Sequence, residues 1–139
     1  MYTLRKMFDP SIVALIGATE RQGAVGRTIF ENLLSSTERR AYPVNLHEEK
    51  VLERQAVPSI AQVPGPVDLA IIATPAATVP GLVEECGSAG VKGVVIISAG
   101  FKEIGDEGKR LEAKTADIGR RFGMRTRVGI DCRLSFRLR

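Results

Sequence analysis

Histidine occurs once, cysteine twice, and aromatic residues make up 5% of the 139-residue chain. A lone histidine, His47, outside any motif gives no basis for a Ser-His-Asp set. Cys86 and Cys132 have no metal-ligand spacing, so no metal site is expected, and two such cysteines fit a reduced, cytoplasmic protein. No apolar run approaches the ~20 residues of a membrane-spanning helix, and Met1 to Asp9 is too short and mixed to read as a signal peptide. The few aromatics form no stacking series, which argues against nucleic-acid recognition. Glu84 with Glu85, and Asp106 with Glu107, read as solvated helix surface rather than acid–base pairs. No catalytic residue is assigned.

The length suits one domain around one core. The formal net charge of +4 is unevenly spread. Seven arginines (120, 121, 125, 127, 133, 137 and 139) and one acid, Asp131, lie from Arg120 onward. The remainder has 13 basic and 15 acidic residues, a net of −2. The basicity therefore belongs to the C-terminal segment, and the expected division is a domain over 1–125 and an arginine-rich tail over 126–139.

What is present is organised around one stretch. Ile12-Val13-Ala14-Leu15-Ile16 is an apolar run of strand length that ends at Gly17-Ala18-Thr19. Glu20-Arg21-Gln22-Gly23-Ala24 leads into Val25-Gly26 and a helical pattern to Leu34, with Val25, Ile29 and Leu33 on one stripe. A strand, a small-residue turn and a helix place backbone N–H groups and a positive helix end where a phosphate can sit. The glycine spacing does not satisfy G-x-G-x-x-G, and a buried strand with an empty glycine turn stays open as the plain alternative. Further strands are predicted at Ala41 to Asn45, Asp68 to Ala73 and Gly93 to Ser98. Helices are predicted from Thr78 as N-cap to Gly90, and from Asp106 to Gly123. Strands alternating with helices predict a doubly wound, Rossmann-like parallel α/β sheet, whose ligands bind at the carboxyl ends of its strands. Those ends carry Gly17 to Thr19, Asn45, Thr74-Pro75 and Ser98-Ala99-Gly100.

Several segments in order resemble the CoA-binding domain of NDP-forming acyl-CoA synthetases. They are Phe8-x-Pro10, Ile16-Gly17-Ala18-Thr19 with Val25-Gly26, Tyr42-Pro43-Val44-Asn45, Pro58-Ser59-Ile60, Pro64 to Leu69, Val83 to Gly87, and Ile96 to Phe101. This module opens the α subunit of ADP-forming acetate–CoA ligase, and a distant relative opens that of succinyl-CoA synthetase. The resemblance runs from about Leu4 to Arg125. It implies that Gly17, Ala18, Thr19, Glu20, Arg21, Gln22, Val25 and Gly26 surround CoA phosphates, with Arg21 the nearest cation. Asn45, Thr74, Pro75, Ile97, Ser98 and Ala99 are implied to line the rest of the CoA site. It also implies further synthetase domains, one carrying a phosphohistidine, without which this chain binds CoA and catalyses nothing. On this reading Gly17→Val is expected to abolish CoA binding while leaving the fold mostly intact.

Two departures stand out. Leu46-His47 replaces the family's Pro-Lys after Val44-Asn45, and an imidazole near pH 7 is a poorer phosphate partner than lysine. After Gly123-Met124-Arg125 the family's Gly-Pro-Asn-Cys is absent, so Asp131 and Cys132 take no role from it. Two other classes remain. An NAD(P)-binding oxidoreductase domain would want an acid where Asn45 stands, and a structural domain would keep the fold without a ligand.

Overall fold

The computed structural model describes residues 10–35, 39–97 and 105–128. In chain order the elements are β1 (Ile12–Ile16), α1 (Val25–Leu34), β2 (Arg40–Val44), β3 (Lys50–Val51) and β4 (Arg54–Gln55). They continue with β5 (Leu69–Ile72), α2 (Val79–Ser88), β6 (Gly93–Ile96), α3 (Asp106–Arg121) and β7 (Arg125–Val128). Short 3-10 turns cover Ile60–Gln62 and Ala76–Thr78.

Five strands form one parallel sheet in the order β2-β1-β5-β6-β7, and β3 with β4 makes a separate antiparallel hairpin. The three central strands, β1, β5 and β6, are apolar along their length because both faces of the sheet are covered there. Val13, Leu15, Leu69, Ile71 and Val95 share one face with Ile29 and Phe30 of α1 and Val51 of the hairpin. Ala14, Ile16, Ala70, Ile72, Val94 and Ile96 share the other with Val79, Val83 and Cys86 of α2 and Ile118 of α3. This is the doubly wound α/β sheet that the alternation of elements predicts. The chain proceeds outward in opposite directions from β1 and β5, so the crevice between their carboxyl ends is the switch point where such sheets take ligands. At the opposite end, the buried carboxylate of Asp68 accepts the amides of Ser11 and Ile12 through Oδ2, at 3.0 and 3.2 Å, and fixes the start of β1.

Gly90 (φ +81°) and Gly123 (φ +69°) end α2 and α3 in the left-handed conformation, as their positions predict. Three details differ from the sequence reading. Val25, placed by spacing on the apolar stripe of α1, is 45% exposed at the helix's first position, and the buried residues of the helix are Gly26, Ile29 and Phe30. Thr78 stands at the N-cap of α2 but does not cap it; its hydroxyl donates to the Pro75 carbonyl at 2.6 Å. The hairpin is not anticipated, since its two-residue turn is Leu52-Glu53, both at positive φ (48° and 66°) without glycine or asparagine. That conformation costs roughly 1–2 kcal/mol per residue, and the fully buried Val51 beside it supplies the anchorage.

The register of the sheet continues through Arg125–Val128, which pairs residue for residue with Gly93–Ile96. The rest of the arginine-rich segment, 129–139, lies outside the described residues, as do 1–9, with Leu4 and Phe8, and the turn at 98–101. No helix among the described residues is long and apolar enough to cross a membrane.

Candidate functional site

The site grows from the end of β1. The Gly17 amide donates to the Val44 carbonyl at 3.0 Å, and the Ala73 amide donates to the Ile16 carbonyl at 2.9 Å. The ends of β1, β2 and β5 are thereby joined. Gly17 has φ +96°, and a Cβ there would lie 2.8 Å from the Ala73 oxygen. The expectation that Gly17→Val leaves the fold mostly intact is therefore corrected: the side chain would strike the neighbouring strand's backbone, in a conformation that a β-branched residue avoids. Gly26, the second residue of α1, sits against the loop so closely that a Cβ would collide with the Gly17 carbonyl oxygen. Gly17 and Gly26 are both glycine because two backbones meet there.

Ala18 is fully buried, and its carbonyl accepts the Asn45 side-chain amide at 2.8 Å. Asn45 Oδ1 accepts the amides of His47 and Glu48, at 2.7 and 2.9 Å. The structure thus places Asn45 as a brace between the β1 loop and the β2 loop. Thr19 Oγ1 accepts the Arg21 amide at 3.2 Å, which shapes the loop crest, where Arg21 and Gln22 are exposed. Glu20 Oε1 accepts the Leu52 amide at 2.6 Å, and its backbone carbonyl accepts Arg27 Nη1 at 2.5 Å. Thr74 lies beside Gly17, its hydroxyl 2.8 Å from that of Thr78, and Pro75 follows at the surface. The Ile97 amide donates to the Ile72 carbonyl at 2.8 Å, closing β6 against β5. Ser98 and Ala99 lie outside the described residues.

The electrostatics are one-sided. α1 has no side-chain cap at Ala24 and no acid in its first turn. Among the described residues the amides of Val25 and Gly26 find no partner. Arg27, at the third helical position, adds a cation where the helix dipole is already positive, and its guanidinium also lies 3.7 Å from Glu31. This end of the helix is suited to an anion. Sequence reasoning missed Arg27, although a cation in the first turn of a glycine-loop helix is the signal that would have found it. Beside the loop, a hollow of ≈ 620 Å³ is bounded by the Asn45–Lys50 segment with Gln55, Ala56 and Pro58. His47 stands exposed on its wall. Away from the site, burial among apolar neighbours and the nearby Glu85 push the Cys86 thiol up to about 12. Among the described residues no three of His, Cys, Asp and Glu gather as a metal set.

The family described as "CoA binding domain" matches residues 11–134. The α subunit of ADP-forming acetate–CoA ligase II from Pyrococcus furiosus is 45% identical over 90% of this chain and 27% of its own length. The ADP-forming 4-hydroxybutyrate–CoA ligase of Nitrosopumilus maritimus is 36% identical over 91% of this chain and 18% of its own. In structure, the dinucleotide-forming acetyl-coenzyme A synthetase 1 of Ca. Korarchaeum cryptofilum, solved with phosphate and ADP, superposes with a TM-score of 0.83. It is 35% identical over 91% of this chain and 27% of that one. The chain thus spans about a quarter or less of the length of these relatives. With nine-tenths of the chain aligned and the glycine loop at the switch point of the sheet, it belongs to the CoA-binding domain family.

Proposed function

We propose that this domain binds coenzyme A, with the diphosphate at the amino end of α1, and serves an NDP-forming acid–CoA ligase. The observation that carries this reading is the uncapped first turn of α1 at the β1/β5 switch point, where the Val25 and Gly26 amides have no partner among the described residues and Arg27 adds a cation. Gly17, Ala18, Thr19 and Gly26 shape the loop, while Arg21 and Gln22 reach over its crest and Val25 meets the ligand from the helix side. Glu20 and Asn45 act through the loop walls rather than by contact, and Thr74, Pro75 and Ile97 to Ala99 line the pantetheine and adenosine path.

The proposed reaction of the whole ligase is acid, CoA and NTP giving acyl-CoA, NDP and phosphate. In it this domain presents CoA to a phosphohistidine carried on another domain and performs no bond-making step of its own. The same reading implies a cytoplasmic enzyme whose partners are further synthetase domains or subunits, not nucleic acid, and a domain that runs to at least Val128. The oxidoreductase alternative is weakened because Asn45, where an NAD site wants an acid, is committed to Ala18, His47 and Glu48.

Calorimetric titration with CoA, dephospho-CoA and NAD tests the reading. Binding is expected with CoA, weaker binding with dephospho-CoA and none with NAD. A preference for NAD would support the oxidoreductase class. No heat with any ligand, from a folded chain, would leave a structural domain.

A further inference from the structure

Glu20 is the sole acid between Gly17 and Gly26, and it stands in a loop that otherwise favours an anion. A carboxylate turned toward that loop would repel a phosphate. The structure turns it away. Its Oε1 accepts the Leu52 amide at 2.6 Å across 32 residues of sequence, at the tip of the β3–β4 hairpin. The hairpin is fixed at its other end as well. The Ala56 amide donates to the Glu49 carbonyl at 2.8 Å, and Val57 and Asn45 exchange amide bonds with Pro43 and Val57 carbonyls at 3.1 and 3.0 Å. At the tip the Leu52 side chain rests on the core, and Glu20 supplies the hydrogen bond to its backbone. That tip is the turn whose two residues, Leu52 and Glu53, both hold positive φ and so need an external partner to stay in place. The hairpin also carries Lys50 and Gln55 on the wall of the ≈ 620 Å³ hollow beside the loop.

We propose that Glu20 is a positioning residue. Its carboxylate latches the hairpin tip to the phosphate loop, fixes the wall of the hollow and raises CoA affinity without touching CoA. The affinity part rests on the CoA-binding reading above. The latch itself does not.

Two variants separate this role from plain charge repulsion. Glu20→Gln removes the charge but keeps an oxygen that can accept from Leu52; Glu20→Ala removes both. If Glu20 merely repelled phosphate, both variants would bind CoA more tightly than the parent. The latch requires Glu20→Ala to bind CoA about fivefold more weakly while Glu20→Gln matches or exceeds the parent, the scale of one charge-assisted bond at a partly solvated site. In the absence of ligand, hydrogen exchange of the Leu52 amide is expected to quicken about tenfold in Glu20→Ala and to stay slow in Glu20→Gln. Unchanged or tighter CoA binding by Glu20→Ala overturns the affinity part, and unchanged Leu52 exchange overturns the latch. If the parent chain does not bind CoA at all, the proposed function and the affinity part fall together. The exchange measurement still decides the latch. Glu20 is exposed, so both variants are expected to fold.

Discussion

Cys86 lies fully buried on the inner face of α2, and burial holds its thiol protonated to about pH 12. An unfolded chain releases that proton near the ordinary value of 9.0. Above it the folded state therefore binds more protons than the unfolded state, and stability falls as pH rises. The contribution is intact below about pH 9 and is lost progressively toward pH 12, at up to about tenfold in the folding equilibrium per pH unit. Denaturant melts of Cys86→Ala and its parent from pH 8 to pH 10.5 check this: the parent should lose stability more steeply. Parallel slopes would mean that the thiol titrates alike in both states. At this scale the sequence reading serves best where a residue's role is set by its neighbours in the chain. Gly90 and Gly123 end their helices where spacing places them. It serves worst where the role depends on a distant backbone. Gly17→Val reads as a change that spares the fold, yet the Cβ direction of Gly17 is filled by Ala73, 56 residues away.

Among the elements, α1 and α2 each contain a glycine that a neighbour crowds, and the kind of neighbour decides the outcome of substitution. At Gly26 a methyl would strike the Gly17 carbonyl, a backbone atom held by the junction of β1, β2 and β5. At Gly87 it would strike the ring of Phe122, which is 40% exposed at the end of α3 and can swing aside. Alanine gains about 1 kcal/mol of helix propensity over glycine at an interior position. Gly87→Ala is therefore expected to lie within about 1 kcal/mol of the parent, and Gly26→Ala to lose about 1–3 kcal/mol by overpacking. Urea titrations of the two variants measure the difference, and similar losses in both would show that Phe122 is as fixed as the backbone. β1, β2, β5, β6 and the three helices are legible in advance because buried parallel strands are largely apolar runs and helices carry their own periodicity. The β3–β4 hairpin is not, because Lys50-Val51-Leu52-Glu53-Arg54-Gln55 lacks the glycine or asparagine by which a two-residue turn announces itself. Its place is set by Val51 in the core and by Glu20 at the tip, neither of which is a local signal.

For the whole molecule, charge and sheet order lead to different views of where the domain reaches. Arginine density sets the chain from 126 onward apart, yet Arg125–Val128 is a sheet strand beside β6. The two views are compatible, because an edge strand can point arginines to water: Arg125 and Arg127 are exposed, while Thr126 between them packs against Gly119 of α3. A strand of alternating exposed arginine and small residue has no apolar run to mark it, which is why composition hides it. Its structural weight follows from what it covers. β6 is buried along all four residues, and Met124, just ahead of β7, belongs to the core shared with Ile118. A chain ending at Met124 would leave the ladder groups of β6 without their partner and open the α3 side of the core. We expect it to melt roughly 5–10 °C below a chain ending at Val128, the equivalent of about 2 kcal/mol for a domain of this size. Paired thermal melts of the two truncations measure this directly. If they coincide, β7 adds nothing to the fold and the domain closes at β6; if they separate, the sheet that supports the Gly17–Gly26 loop extends into the arginine-rich segment.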